Sequence, residues 1–319
     1  MSNNNTIKNY MQSSSEIHDK IEDELRTICL PGIKVINVVK YIEERIDQLS
    51  KEYVEKNNLL NISYGKAFPV GINLNNVAAH WSPLSDNDQT MIGSNDVVTI
   101  DYGIHFDGYI LDAAFTFAYD IKHKNLLECG LSACQDTAKM VKAGVQIYSL
   151  SRNIMKIAKK YNYSLITDLC GHQIAQYKIH NGFVVPNCDL NLKKSLSVGS
   201  IFTIEPFIST GSGKISYTDD ISHYMFNYHN FDYETMCKKN LIPDFLQSYK
   251  TLAFNRRHIS ESDYNNLDNL VNSGFYQPYP PIVEQDKTAY VTQFETTLYI
   301  ESVSSVINCL LYTSDAADE

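Results

Sequence analysis

Long apolar runs are missing from this 319-residue chain. No stretch approaches the roughly 18 apolar residues that a membrane span needs, so no membrane partner is expected. The N-terminus, Met1 to Tyr10, is Asn-rich and has no apolar core of the kind an export leader carries, which points to a cytoplasmic protein. A cationic surplus is missing as well. Lys and Arg number 27 against 37 Asp and Glu, a net charge of −10, so bulk electrostatics does not suggest a nucleic-acid surface. Seven cysteines are present (Cys29, Cys129, Cys134, Cys170, Cys188, Cys237, Cys309), but no CxxC pair and no regular spacing. That argues against a disulfide scaffold and for a reducing compartment. Apolar material is in good supply: 44% of the residues are hydrophobic, enough for one large domain or two smaller ones with a substantial core.

Within that material the most informative stretch is Val97 to Thr116. Two runs of β-branched and aromatic residues flank Asp107-Gly108, a pair suited to a tight hairpin turn. Each run carries one carboxylate, Asp101 or Asp112, in otherwise apolar surroundings, and a buried carboxylate needs a partner. An even-numbered loop places Asp101 opposite Ala114, with Asp112 one step diagonal on the same face. Two converging like charges repel unless one is protonated or a cation lies between them. An odd loop puts them on opposite faces.

In chain order, residues 1–12 read as a disordered segment. From Ser13, read as a cap, Ile17, Ile21, Leu25 and Ile28 fall at helical spacing up to Pro31-Gly32, and Val35 to Leu49 repeat the pattern. After the hairpin a helix pair recurs, at about Leu126 to Lys142 and Leu150 to Tyr161, followed by strand-like sequence from Tyr163 to Met225. Helices followed by sheet therefore occur twice, which predicts an α+β fold of two related halves around one curved antiparallel sheet. Residues 228–275 read as an inserted helical subdomain, with helix-leaning sequence at Ile242 to Arg257 and Ser262 to Asn272. An alternating strand, Tyr290 to Ile300, has Glu295 at its centre. Residues 309–319 bear no periodic relation to the strand before them and read as a non-native tail, leaving 13–308 as the folded domain.

Three more segments set a ligand-type residue in apolar strand sequence: Gly171-His172, Thr203-Ile204-Glu205-Pro206 and Phe294-Glu295-Thr296. Singly, each is better read as a satisfied core or edge-strand residue. Together with the hairpin they form an oxygen-rich set of four carboxylates and one imidazole, suited to hard or borderline divalent ions rather than to a thiolate zinc site.

Asp101, Asp112, His172, Glu205 and Glu295, in that order and with these flanks, resemble the ligands of the methionine aminopeptidases of the pita-bread fold, type 2 branch. Phe68-Pro-Val-Gly71, Ala78-Ala-His80, Gly171 to His180, Ser222-His-Tyr-Met225 and Tyr279-Pro-Pro281 resemble its motifs, and the insertion before the last ligand strand is that branch's mark. The resemblance runs from about residue 13 to 307. It implies two divalent ions (Mn, Co, Fe or Zn), with Asp101 on one, His172 and Glu205 on the other, and Asp112 and Glu295 bridging. A water held between two cations has its pKa lowered toward about 7, and Glu205 acts as its general base.

His80 and His180 are implied on the substrate side, with Phe68, Ile179, His223, Ala253 and Tyr279 completing the methionine pocket; His223 reads equally as a structural residue. The remaining histidines, His18, His105, His123, His229 and His258, are expected at the surface. The implied activity is removal of the initiator methionine from nascent chains with a small second residue, by a cytoplasmic monomer in transient proximity to the ribosome. The long charged N-terminal extension of many members does not precede these residues, and the odd tail stands where members carry a Gly-Asp-Asp-Tyr-like end. Two rivals remain: a prolidase or aminopeptidase P, which usually carries a separate N-terminal domain of about a hundred residues, and a non-catalytic pita-bread protein that binds RNA or protein.

Overall fold

The two N-terminal apolar stripes form two long helices in the computed structural model, which describes residues 2–59 and 61–308; the tail at 309–319 lies outside the described residues. Helix α1 spans Ser2–Ile28 and α2 spans Val35–Lys56. The helical start at Ser2 corrects the expectation of disorder over residues 1–12. Ile7, Tyr10 and Met11 continue the stripe at i, i+3 and i+4, and Tyr10 and Met11 are buried. The Tyr10 ring lies 5.8 Å from that of Phe106, and Lys8 forms an ion pair with Glu301 at 3.0 Å. Ser13 is therefore a buried residue inside the helix, not its cap.

Short strands β1 (Tyr64–Lys66), β2 (Gly71–Leu74) and β3 (Val77–Ala79) lead to the long hairpin β4 (Val97–Phe106) and β5 (Tyr109–Ala118). Strand β4 pairs with β5 along one edge and with β1 and β2 along the other. Asp107 and Gly108 both take positive φ, 50° and 77°, the geometry of a two-residue turn whose twist matches the strands. The loop is even: Asp101 lies opposite Ala114 and Gly103 opposite Asp112, so both carboxylates share a face, as the spacing predicts.

Helices α3 (Lys124–Ala138) and α4 (Ile147–Tyr161) form the second pair; each begins a few residues before its expected start, and α3 also stops four residues earlier, at Ala138 rather than Lys142. Strands β6 (Ser164–Leu165), β7 (Cys170–Ile174), β8 (Val184–Pro186), β9 (Ile201–Ile204), β10 (Phe207–Ser209), β11 (Ile215–Tyr217) and β12 (His223–Phe226) follow. In residues 228–275 the helices are α5 (Tyr233–Lys238), α6 (Asp244–Gln247) and α7 (Tyr264–Asn272), with a short strand β13 (Phe254–Asn255). This region is less helical than expected over 242–257. Phe254 and Asn255 leave the helix to pair with Tyr224 and His223, and Phe254 joins Phe226, Met236, Leu246 and Tyr276 in a core separate from the main one.

The chain closes with β14 (Tyr276–Tyr279), β15 (Ile282–Glu284), β16 (Val291–Gln293), β17 (Thr296–Ile300) and β18 (Val306–Asn308). The expected single strand from Tyr290 to Ile300 is thus two. Strand β16 pairs with β10, and β17 with β9 and β18, so Glu295 sits at the break between them. There its backbone N–H donates to the Ala114 carbonyl at 2.8 Å, which joins the hairpin to the second half. Every strand pairing among the described residues is antiparallel. One main core runs from α1 and α2 across the hairpin to α3 and α4, holding Ile42, Ile100, Tyr102, Cys129, Ile154 and Phe202. Among the described residues no helix is long and apolar enough to cross a membrane.

Candidate metal centre and substrate cavity

Each ligand-type side chain enters one cavity of about 320 Å³ from a different segment. Asp101 comes from β4, Asp112 from β5 and His172 from β7. Glu205 and Glu295 come from the two strand breaks, β9 to β10 and β16 to β17, where the chain changes sheets. His172 Nε2 lies 3.4 Å from both Asp112 Oδ2 and Glu205 Oε1, and ligand atoms of Asp112, His172 and Glu295 all fall within 4.8 Å of one another.

Hydroxyl groups fix the backbone at these points. The Thr297 hydroxyl accepts from the Asp112 N–H at 2.9 Å and donates to the Asp112 carbonyl at 2.7 Å. The Thr116 hydroxyl does the same for Gln293, at 3.0 and 2.6 Å, and the Thr203 hydroxyl accepts from the His172 N–H at 3.1 Å. These threonines replace ladder bonds where the strands do not pair regularly.

Burial raises all four carboxyl groups, and mutual repulsion raises three of them further. Asp101 is pushed well above the usual range by burial and then by Asp112; Glu205 and Glu295 by burial and then by Asp112 and their other acidic neighbours; Asp112 by burial, up to about 7. Burial holds the His172 imidazole down to about 4, so it is neutral and able to offer a lone pair. Among the described residues no Lys or Arg lines the cavity, and Asp101 Oδ1 is buried without a hydrogen-bond partner. Four buried carboxyl groups, one neutral imidazole and no cationic side chain fit a divalent metal site. The sign of the coupling follows: carboxyls whose folded pKa lies above the unfolded value destabilise the metal-free protein as pH rises from about 4 toward their folded pKa. Added Mn is therefore expected to raise the melting temperature of chelator-stripped protein more at pH 8 than at pH 5, where protons compete for the same carboxyl groups and imidazole. Calorimetric scans of stripped and Mn-loaded protein at the two pH values check the difference.

Apart from Asp168 and Gln293, the rest of the cavity is apolar surface and uncharged histidine. Phe68, Ile179, Met225, Ala253 and Tyr279 line it with His80, His180 and His223. Phe68 lies flat on the hairpin because Gly103 has no side chain; a Cβ there would overlap its ring. Burial lowers His80 to about 4 and His223 to about 3, and holds His180 well below the usual imidazole range, with His172 and His80 adding to the effect. His80 adopts φ +67°, a costly left-handed backbone for a side chain. It is held there by the next residue: Trp81 N–H donates to Asn73 Oδ1, and the Trp81 carbonyl accepts from Ile72. The His180 and His172 rings meet edge to face at 4.4 Å.

All twelve residues singled out in the sequence line this one cavity. Sequence reasoning passed over Gln293, whose Nε2 donates to Glu295 Oε2 at 3.0 Å and lies 3.4 Å from Asp101 Oδ2. Its position two residues before Glu295 is a period-two signal. It also passed over Asp168, Leu169, Cys170 and Phe207, which line the same cavity. The surface expectation fails for three histidines. His18, His105 and His123 are buried: His18 completely, stacked on Tyr102 at 4.2 Å between α1 and the hairpin; His105 at the hairpin tip beside Tyr177; and His123 against the Tyr290 ring at 4.2 Å. His229 and His258 are exposed, the latter paired with Glu43 at 2.9 Å.

Residues 8–223 match the model of metallopeptidase family M24. The chain is 32% identical over 309 residues to methionine aminopeptidase 2A of Arabidopsis thaliana, covering 92% of this chain and 68% of that protein. Among solved structures, a thermophilic Arx1 superposes with a TM-score of 0.81 at 17% identity, covering 98% of this chain and 92% of the other. A methionine aminopeptidase from Thermotoga maritima superposes at 0.65 with 16% identity, covering 94% and 95%.

Proposed function

The chain belongs to metallopeptidase family M24, as a relative of the type 2 methionine aminopeptidases on the pita-bread fold, and from that premise we propose that it removes the initiator methionine from nascent polypeptides whose second residue is small. The observation that carries this reading is a metal-fitting carboxylate cluster lining a cavity of about 320 Å³ whose remaining wall is mostly apolar side chains and neutral histidines. An unbranched thioether packs well against Phe68, Ile179, Ala253 and Tyr279, whereas a charged side chain would lose its hydration there.

In this reading Asp101 would hold one ion and His172 and Glu205 the other, with Asp112 and Glu295 available to both. When bound, two divalent ions supply neutralisation of the carboxylates, polarisation of the scissile carbonyl and a lowered water pKa. Glu205 takes the proton of the attacking water and passes it to the departing amine nitrogen. His80 and His180, neutral at pH 7, bond the scissile peptide and steady the charge that develops on its oxygen. Cytoplasmic work on emerging chains, in transient proximity to the ribosome and as a monomer, completes the proposal.

Metal-loaded protein incubated with Met-Ala-Ser, Met-Lys-Ser and Ala-Pro-Ala peptides is expected to release methionine from the first alone. Release of alanine from Ala-Pro-Ala without methionine release would replace this reading by a prolidase-type one. No turnover with Mn, Co, Fe or Zn would favour a non-catalytic binding protein.

A further inference from the structure

The His180 side of the cavity has its own support, and it comes from the insertion. Ile179 and His180 lie on the turn after β7, beyond the ladder, so no neighbouring strand takes up the His180 backbone groups. The Tyr228 hydroxyl does so. It accepts from the His180 N–H at 3.0 Å and donates to the His180 carbonyl at 3.0 Å. The threonine hydroxyls on Asp112 and Gln293 make the same bracket at the metal hairpin and at the β16–β17 break. A second tie joins the same turn to the insertion: the Thr251 hydroxyl donates to the Tyr177 carbonyl, and Lys250 Nζ donates to the Tyr177 hydroxyl at 2.7 Å. Tyr177 in turn donates its N–H to the Gly108 carbonyl at 2.8 Å, linking the turn to the tip of the hairpin.

We propose that Tyr228 is a positioning residue for His180, through which the insertion fixes a substrate-side histidine of the cavity. The inference rests on the reading of His180 given above. Tyr228 does not line the cavity, and its hydroxyl meets the His180 backbone rather than the ring. Its effect therefore passes through the placement of the His180 imidazole 4.4 Å from that of His172. Loss of such a supporting partner costs about 10- to 100-fold at comparable sites.

The test compares Tyr228→Phe with the unaltered metal-loaded protein in three measurements. Steady-state turnover of Met-Ala-Ser is expected to show kcat lowered by about 10-fold or more with KM nearly unchanged, because the group misplaced acts on the developing charge. Histidine-labelled NMR spectra are expected to show the His180 ring resonances shifted or broadened while those of the remote His123 stay put. Thermal melting separates positioning from plain stability. A variant that melts earlier but keeps kcat and its His180 resonances would overturn the proposal, and so would one indistinguishable from the parent. If the parent itself turns over no methionyl peptide, the functional reading falls, and the positioning claim is decided by the spectra: unchanged His180 resonances overturn it and shifted ones support it.

Discussion

Asp112→Asn is expected to reduce turnover of methionyl peptides by at least about 100-fold, the upper end of what the loss of supporting groups around a metal costs, and to weaken binding of Mn or Co by at least about 10-fold in calorimetric titration. Asp112 contributes to the high pKa of Asp101, Glu205 and Glu295, and its own Oδ2 lies 3.4 Å from His172 Nε2. The amide keeps the shape and removes the charge, so the same variant should behave in the opposite direction when metal-free. At pH 8 the stripped Asp112→Asn protein is expected to be more stable than the stripped parent, by on the order of a few kcal/mol. The carboxyl is raised to about 7, so its unfavourable contribution is full above that pH and fades as pH falls toward the unfolded value near 4. Chemical denaturation of both stripped proteins at pH 8 and pH 5 checks the sign: the gain should shrink at the lower pH. Equal stabilities at both values would mean that the cluster carries no repulsion.

Gly171→Ala is expected to have the second-largest effect, although the residue holds no metal and touches no substrate. A Cβ at Gly171 would overlap the backbone carbonyl of Thr203, in β9, which ends one residue before Glu205, and backbone cannot move aside as a side-chain tip can. Strands β7 and β9 would have to separate, taking His172 away from Glu205 and costing about 3 kcal/mol, as overpacking of a close contact does. Urea denaturation should show the loss, and metal titration should show weakened binding even at temperatures where the variant stays folded. An alanine variant with the parent's stability and metal affinity would show that the two strands are not held at this contact.

The carboxylate hairpin was legible because every signal for it is local. Alternation in β4 and β5 sets the faces, Asp107-Gly108 sets an even turn, and both follow from residues close in sequence. Helices α1 to α4 were legible from their apolar stripes, with ends displaced by a few residues where the capping residues carry no strong signal. The first turns of α1 were misread because an Asn-rich segment has low helix propensity, yet burial of Tyr10 and Met11 against the hairpin outweighs it. His18 and His105 were misread for a similar reason: their polarity suggests water, and only the packing of α1 and the strands removes it.

The sequence by itself set the shared face of Asp101 and Asp112, through side-chain period and an even turn, and pointed to the five ligand-type residues through their resemblance to a family's ligand set. Tertiary structure alone decided that Glu205 and Glu295 project from strand breaks rather than strand centres, that threonine hydroxyls bracket the backbones of Asp112 and Gln293, and that Tyr228 does the same for His180. Those features arise where segments distant in sequence meet without regular pairing and must satisfy backbone groups by side chains, a demand that no local pattern records.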